Sequence, residues 1–373
     1  MLGQRTLARP VALLFTALVV YASLYPFEGW RWQGGQPFEF LMAPLPPYWT
    51  AFDVFANLLG YVPLGFLTVV VAVRSGVAKG WLVAAFLMPC LLSLALETVQ
   101  TFLPSRVASN LDWFLNSVGG LVGSVSALLL ARTGFFSTWQ RFRRHWFEPE
   151  AHGALLLLAL WPVALLYPVS LPFGLGQVWW GVESSVADML ADTTLSHWLP
   201  VRQPDVSPLS PVAQAWCMAL CLLAPCLLGY TVLRRGWRRV VWLLVVQMVA
   251  VMVAGLSSAL TYGPAHAWSW LTPPVWLALA TSTVAGGLSV RLSRKACVVW
   301  LVWVLLAALT LLNQAPLTPY LVESLSVWAQ GRFIRFHGLT QWLGWLWPYA
   351  VMLHAAAQVS RRRAAYPGLA DTQ

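Results

Sequence analysis

Charge is scarce in this chain. Asp, Glu, Lys and Arg make up 10% of its 373 residues, while 59% are hydrophobic. Soluble globular domains rarely reach its mean hydropathy of +0.67. Cysteine is sparse too. Cys90, Cys217, Cys221, Cys226 and Cys297 all lie inside apolar segments, and no C-x-x-C occurs. Cys217 and Cys221 share a helix face, but no His or acid joins them at ligand spacing. The six histidines form no H-E-x-x-H pattern. A P-loop, G-x-G-x-x-G and G-x-S-x-G are all missing. Metal and nucleotide chemistry therefore have no support, and no cofactor is expected.

What the chain has in place of charge is a series of long apolar runs. About 20 such residues cross a bilayer core. Runs such as "VVWLLVVQMVAVMVAGL" do not alternate, which excludes the strands of a membrane β-barrel. The fold class expected is an all-α integral membrane protein. Ten spans are predicted: 10–27, 52–73, 81–103, 112–132, 153–173, 212–233, 238–262, 273–290, 296–313 and 342–359. The first also has the Arg-bearing start of a signal peptide.

The formal net charge of +10 does not point to nucleic acid, because the basic residues sit between spans. Alternating loops carry 18 of the 23 Lys and Arg on one side, including Arg74, Lys79, Arg132, Arg234 to Arg239 and Arg361 to Arg363. The positive-inside rule makes that side cytoplasmic and places both termini there. Trp179, Val182, Val186, Met189 and Leu190 recur at helical spacing in the outer segment 174–211. They predict an interfacial amphipathic helix, and segment 314–341 predicts another. "SLYPF" at 23–27 and "YPVSLPF" at 167–173 are loosely alike.

Polar residues gather where this topology brings three helix ends to one level. Asp53 and Asn57 open one span, Glu97 and Gln100 end the next, Asp112 and Asn116 open the third, and Arg106 lies in the turn between. Asp53 and Asn57 are i,i+4, and Ser93, Glu97 and Gln100 follow i,i+4,i+7, so each set shares a helix face. Ionisable groups within spans face a bundle interior, a partner or water. Two readings remain open. One is a self-satisfied network, with Arg106 paired to Asp112 or Glu97 and Ser109 or Asn110 capping a helix. The other is a polar pocket at the outer leaflet for a headgroup, an amino-sugar or peptide, or a cation. Such a pocket also suits an enzyme using Glu97 and Asp112 as acid and base, or a proton- or cation-coupled transporter. No nucleophile or metal set completes a catalytic site.

"DVFANLLGYVPLGF" (53–66) and "ETVQTFLPSRVASNLDWFLNSVGGLVG" (97–123) resemble the two blocks of the VanZ-like membrane protein family. Asp53, Asn57, Glu97, Gln100, Arg106, Asp112 and Asn116 occupy matching positions, as do Pro63, Gly65, Pro104 and Gly119. The resemblance covers about residues 16–132. It implies a VanZ-like four-helix domain over 1–150; the apolar runs add a six-helix membrane region over 151–373 that carries no recognised motif and departs from the family's short form. It also implies a bacterial cytoplasmic-membrane protein of the cell envelope, in contact with membrane lipids. The name member of the family is associated with low-level resistance to the glycopeptide teicoplanin. A glycopeptide or a lipid-linked envelope precursor is the partner this implies.

Overall fold

The computed structural model describes residues 8–365 except 26, 77–78, 150, 168, most of 179–208, and 316–333. Among the described residues the regular structure is helical: α1 (Ala8–Leu24), α2 (Ala51–Arg74), α3 (Lys79–Gln100), α4 (Asn110–Arg132), α5 (Phe135–Trp146), α6 (His152–Ala164), α7 (Pro211–Val232), α8 (Trp237–Tyr262), α9 (Pro273–Ser289), α10 (Arg294–Leu312) and α11 (Ile334–Ala365). The chain divides into two compact units, Met1–Phe142 and Arg143–Gln373.

Local chemistry marks several of the starts. Thr50, Ser109, Ser210 and Ser293 are side-chain N-caps for α2, α4, α7 and α10, each satisfying one of the orphan N–H groups of a first turn. Gly236 and Gly263 bracket α8 at φ values of 110° and 94°, a conformation that costs a glycine little.

Each expected span overlaps a helix. Six helices among the described residues have the length and hydropathy to cross a membrane: Asp53–Arg74, Leu82–Gln100, Asn110–Arg132, Pro211–Val232, Trp237–Tyr262 and Arg294–Leu312. Ala8–Leu24 and His152–Ala164 are apolar but shorter, and α9 has 17 residues. The expected span 153–173 breaks at Ala164, because Pro168 and Pro172 cannot continue a helix. The sequence reading also omitted α5, whose basic residues mask its apolar side. There Phe136 meets Phe66 at 6.4 Å, and Arg74 lies 5.4 Å over the Phe136 ring. Most of the interfacial helix expected over 174–211, and the larger part of that over 314–341, fall outside the described residues.

In the first unit α2 and α4 meet through glycine. A Cβ on Gly119 would stand 2.1 Å from Leu58 O, on Gly123 1.9 Å from Val62 O, and on Gly65 1.9 Å from Gly120 O. Backbone therefore lies directly on backbone, the close approach that small residues permit between membrane helices. Pro89 inside α3 has no N–H for Ala85 O. The hydroxyl of Thr68, on α2, donates to that carbonyl at 3.0 Å.

In the second unit α7 is the buried centre, lined by Cys217, Met218, Leu222, Leu227 and Tyr230. Leu301, Val304 and Leu305 of α10 and Val275 and Ala278 of α9 belong to the same core. Pro348 in α11 frees Gly344 O, and Gly176 N donates to it at 2.8 Å. Arg239 is 0% exposed. Its guanidinium donates to Val290 O and Leu292 O, both at 2.9 Å, and to Tyr230 O at 2.6 Å. It thereby ties the C-terminal ends of α7 and α9 to the start of α8. The two loosely similar aromatic-proline segments share a backbone feature. Phe27 and Phe173 have φ of 65° and 67°, a left-handed conformation rare for bulky residues.

Candidate functional site

The polar residues of the first unit gather at the ends of α1, α3 and α4 away from Arg74 and Arg132. The last carbonyls of α1 have no partner within the helix. Arg106 donates to Tyr25 O through Nε at 3.0 Å and Nη2 at 2.6 Å. The same Nη2 reaches Ala22 O at 3.4 Å. Gln100 Nε2 donates to Ser23 O at 3.0 Å. A guanidinium at a helix C-terminus also meets the negative end of the helix dipole.

Glu97 makes the complementary arrangement at the start of α4. Its Oε2 accepts from Ser109 N at 2.9 Å, and Ser109 Oγ accepts from Asp112 N at 3.3 Å. The carboxylate thus lies at the N-terminal, positive end of α4, although only 4% of Glu97 is exposed. One turn deeper, Asn116 Nδ2 donates to Ser93 Oγ at 3.0 Å, and both residues are buried. Asn116 Oδ1 is enclosed and has no hydrogen-bond partner among the described residues. Asn57 is buried on α2, next to Leu58, whose carbonyl lies on Gly119.

Asp53 and Asp112 are placed differently. Asp53 is exposed and forms a capping box with Thr50. Its Oδ2 accepts from Thr50 N at 3.1 Å and from Thr50 Oγ1 at 2.7 Å, and Asp53 N donates to Thr50 Oγ1 at 3.2 Å. This carboxylate starts α2 and stands apart from the buried group. Asp112 is half-buried in the first turn of α4.

The segment between α1 and α2 is fastened across this end of the unit. Arg31 N donates to Phe102 O at 2.9 Å, Gln33 Nε2 to Thr101 O at 2.9 Å, and Asn110 Nδ2 to Ala43 O at 2.6 Å. Phe40 is buried beneath it. Sequence reasoning assigned no element to this segment, because its anchors are backbone carbonyls that carry no residue signature. It also left Ser93 out of the candidate set, although the i,i+4 spacing to Glu97 is the signal that marks it. Side chains able to hold a metal do not cluster among the described residues.

No curated protein and no solved structure matches the chain significantly. The arrangement from α1 to the end of α4 coincides with a different match: residues 10–131 fit the VanZ/LLP1 family model, so the N-terminal third of this chain is a VanZ/LLP1-like membrane domain.

Proposed function

We propose that this is a multi-pass protein of the bacterial cytoplasmic membrane whose VanZ-like domain recognises a cell-envelope component at the outer leaflet. Ten spans, cytoplasmic termini and interfacial helices on the outer side complete the topology, on the strength of the basic-residue bias. The ligand class is a lipid-linked envelope precursor or a glycopeptide of the teicoplanin type, and binding modulates tolerance to such compounds. Glu97, Gln100, Asn116 and Asn57 are the recognition groups. Arg106, Asp112 and Asp53 hold the helix ends that present them.

The observation carrying this reading is Asn116. A buried carboxamide oxygen without a partner costs about 1–3 kcal/mol, and it lies beside buried Ser93 within an apolar bundle. Such residual hydrogen-bonding capacity suits a polar ligand entering between α3 and α4. The test is a deletion strain carrying wild type, Glu97→Gln or Asn116→Leu at matched membrane abundance. Wild type is expected to restore glycopeptide tolerance and the pool of lipid-linked precursor, while both variants fail. If deletion alters neither property, the proposal is wrong.

A further inference from the structure

The second unit holds a cavity of about 340 Å³. It lies at the ends of α6, α8 and α10 and the starts of α7 and α9. This is the end opposite Arg239 and Arg294, which the charge bias assigns to the outside. Its size is in the range of small-molecule sites, roughly 300–1,000 Å³. Among the described residues 16 line it and none of these is charged, yet seven carry a hydroxyl or a carboxamide. We infer that this cavity binds an uncharged, hydroxyl-rich ring, a glycosyl group presented at the outer face of the membrane.

The wall chemistry selects this class. Ser257 Oγ donates to Leu166 O at 2.9 Å, and Ser258 Oγ donates to His266 O at 2.8 Å. Gln214 Nε2 donates to Leu209 O at 2.9 Å. The two serine protons and one of the two carboxamide N–H groups are committed, so the serine and carboxamide oxygens remain chiefly as acceptors. Acceptors without cationic groups do not select an anion. Desolvating a cation without an acidic partner is costly. An acyl chain would leave the polar wall unused and dry. A sugar satisfies both surfaces, with hydroxyl donors for the oxygens and a C–H face for an aromatic ring.

That ring is in place. Trp270 is fixed by its own Nε1 donating to Ala267 O at 2.9 Å, and it stands edge-on to Phe173 at 5.6 Å and 88°. Phe173 is held at a φ of 67°, and strained backbone of this kind gathers at ligand clamps. Thr272 occupies the N-cap position of α9 but makes no side-chain cap bond. Pro273 and Pro274 bring no N–H to cap, and Val275 N donates to Thr272 O at 3.0 Å, so the hydroxyl has both donor and acceptor to offer a ligand.

The experiment uses the full chain in nanodiscs, with lipid retention read by native mass spectrometry. The probes are a synthetic monoglucosyl-diacylglycerol, the same diacylglycerol without sugar, and phosphatidylglycerol. Methyl glucoside serves as a free competitor. The glucosyl lipid is expected to be retained about tenfold over diacylglycerol, and Thr272→Val or Gln214→Leu to remove roughly three- to tenfold of that. Thr272→Val is isosteric and breaks no cap, so it keeps the test independent of folding. Displacement by methyl glucoside supports the site and identifies the sugar alone as ligand. Its failure to displace, with the glucosyl preference intact, supports a lipid-borne sugar. Equal retention of diacylglycerol or phosphatidylglycerol, or unchanged retention in both variants, overturns the inference. This site is independent of the N-terminal recognition cluster, and either proposal can fail alone.

Discussion

Gly123→Ala should destabilise the first unit strongly, as should a methyl at Gly65 or Gly119 on the same helix pair. The new Cβ would stand 1.9 Å from Val62 O and 2.9 Å from Phe66 N. Those neighbours are backbone, so no side-chain rotation relieves the clash. Reaching an ordinary contact of 3.4 Å requires a shift of 1.5 Å (3.4 − 1.9). A radial gap of about 0.5–1 Å already forfeits a quarter to a half of each dispersion contact it opens. Overpacking of this kind costs about 1–3 kcal/mol, or roughly 5- to 150-fold in the folded population. Gly60→Ala on α2 is the internal control. Nothing lies within 4 Å of a Cβ at Gly60, and helix propensity favours Ala there by about 1 kcal/mol. Thermal denaturation of the detergent-solubilised protein, read by fluorescence-detected size exclusion, compares the two. The expected order is Gly60→Ala at or above wild type, with Gly123→Ala well below. If Gly123→Ala melts with wild type, α2 and α4 are not in backbone contact, and the assembly described here is wrong.

Three further outcomes follow from the hydrogen bonds. Arg106→Met should free the end of α1, costing about 1.5–3 kcal/mol for charged hydrogen bonds; limited proteolysis near Tyr25 checks this, and unchanged cleavage contradicts it. Arg239→Met should cost more than about 3 kcal/mol, because it strands the carbonyls of Tyr230, Val290 and Leu292. Arg239→Lys should recover only part of that stability, since an ammonium cannot reproduce the planar fork; an Arg239→Lys variant that melts with wild type would refute the fork. Thr68→Val should cost about 1 kcal/mol alone but much less beside Pro89→Ala, which restores an N–H for Ala85 O; a thermal double-mutant cycle without coupling would disprove the pairing.

The membrane class, the helix positions and the polar residues of the first unit were legible in the sequence. Apolar periodicity and Ser or Thr caps are local properties, and they mark α2, α4, α7 and α10 with little outside help. The spacing of Ser93, Glu97 and Gln100 likewise assigned them one face. What they bond was not legible. Arg106 and Gln100 serve carbonyls of α1, about 80 residues earlier in the chain (81 from Tyr25, 77 from Ser23), and a carbonyl looks the same at every residue. Asp53 shows the converse difficulty. Its motif position matches that of the buried residues, yet only the tertiary structure separates the exposed capping carboxylate from buried Asn57 one turn on. The neutral cavity of the second unit leaves no motif at all, because its wall comes from five helix ends and the turns beside them. By itself, then, the sequence determined where the long apolar helices lie, since that depends on interactions within a few residues, but it did not mark basic α5. Only the tertiary structure decided which polar atoms are satisfied, which remain open and where a cavity lies, since those depend on carbonyls and surfaces brought together from distant parts of the chain.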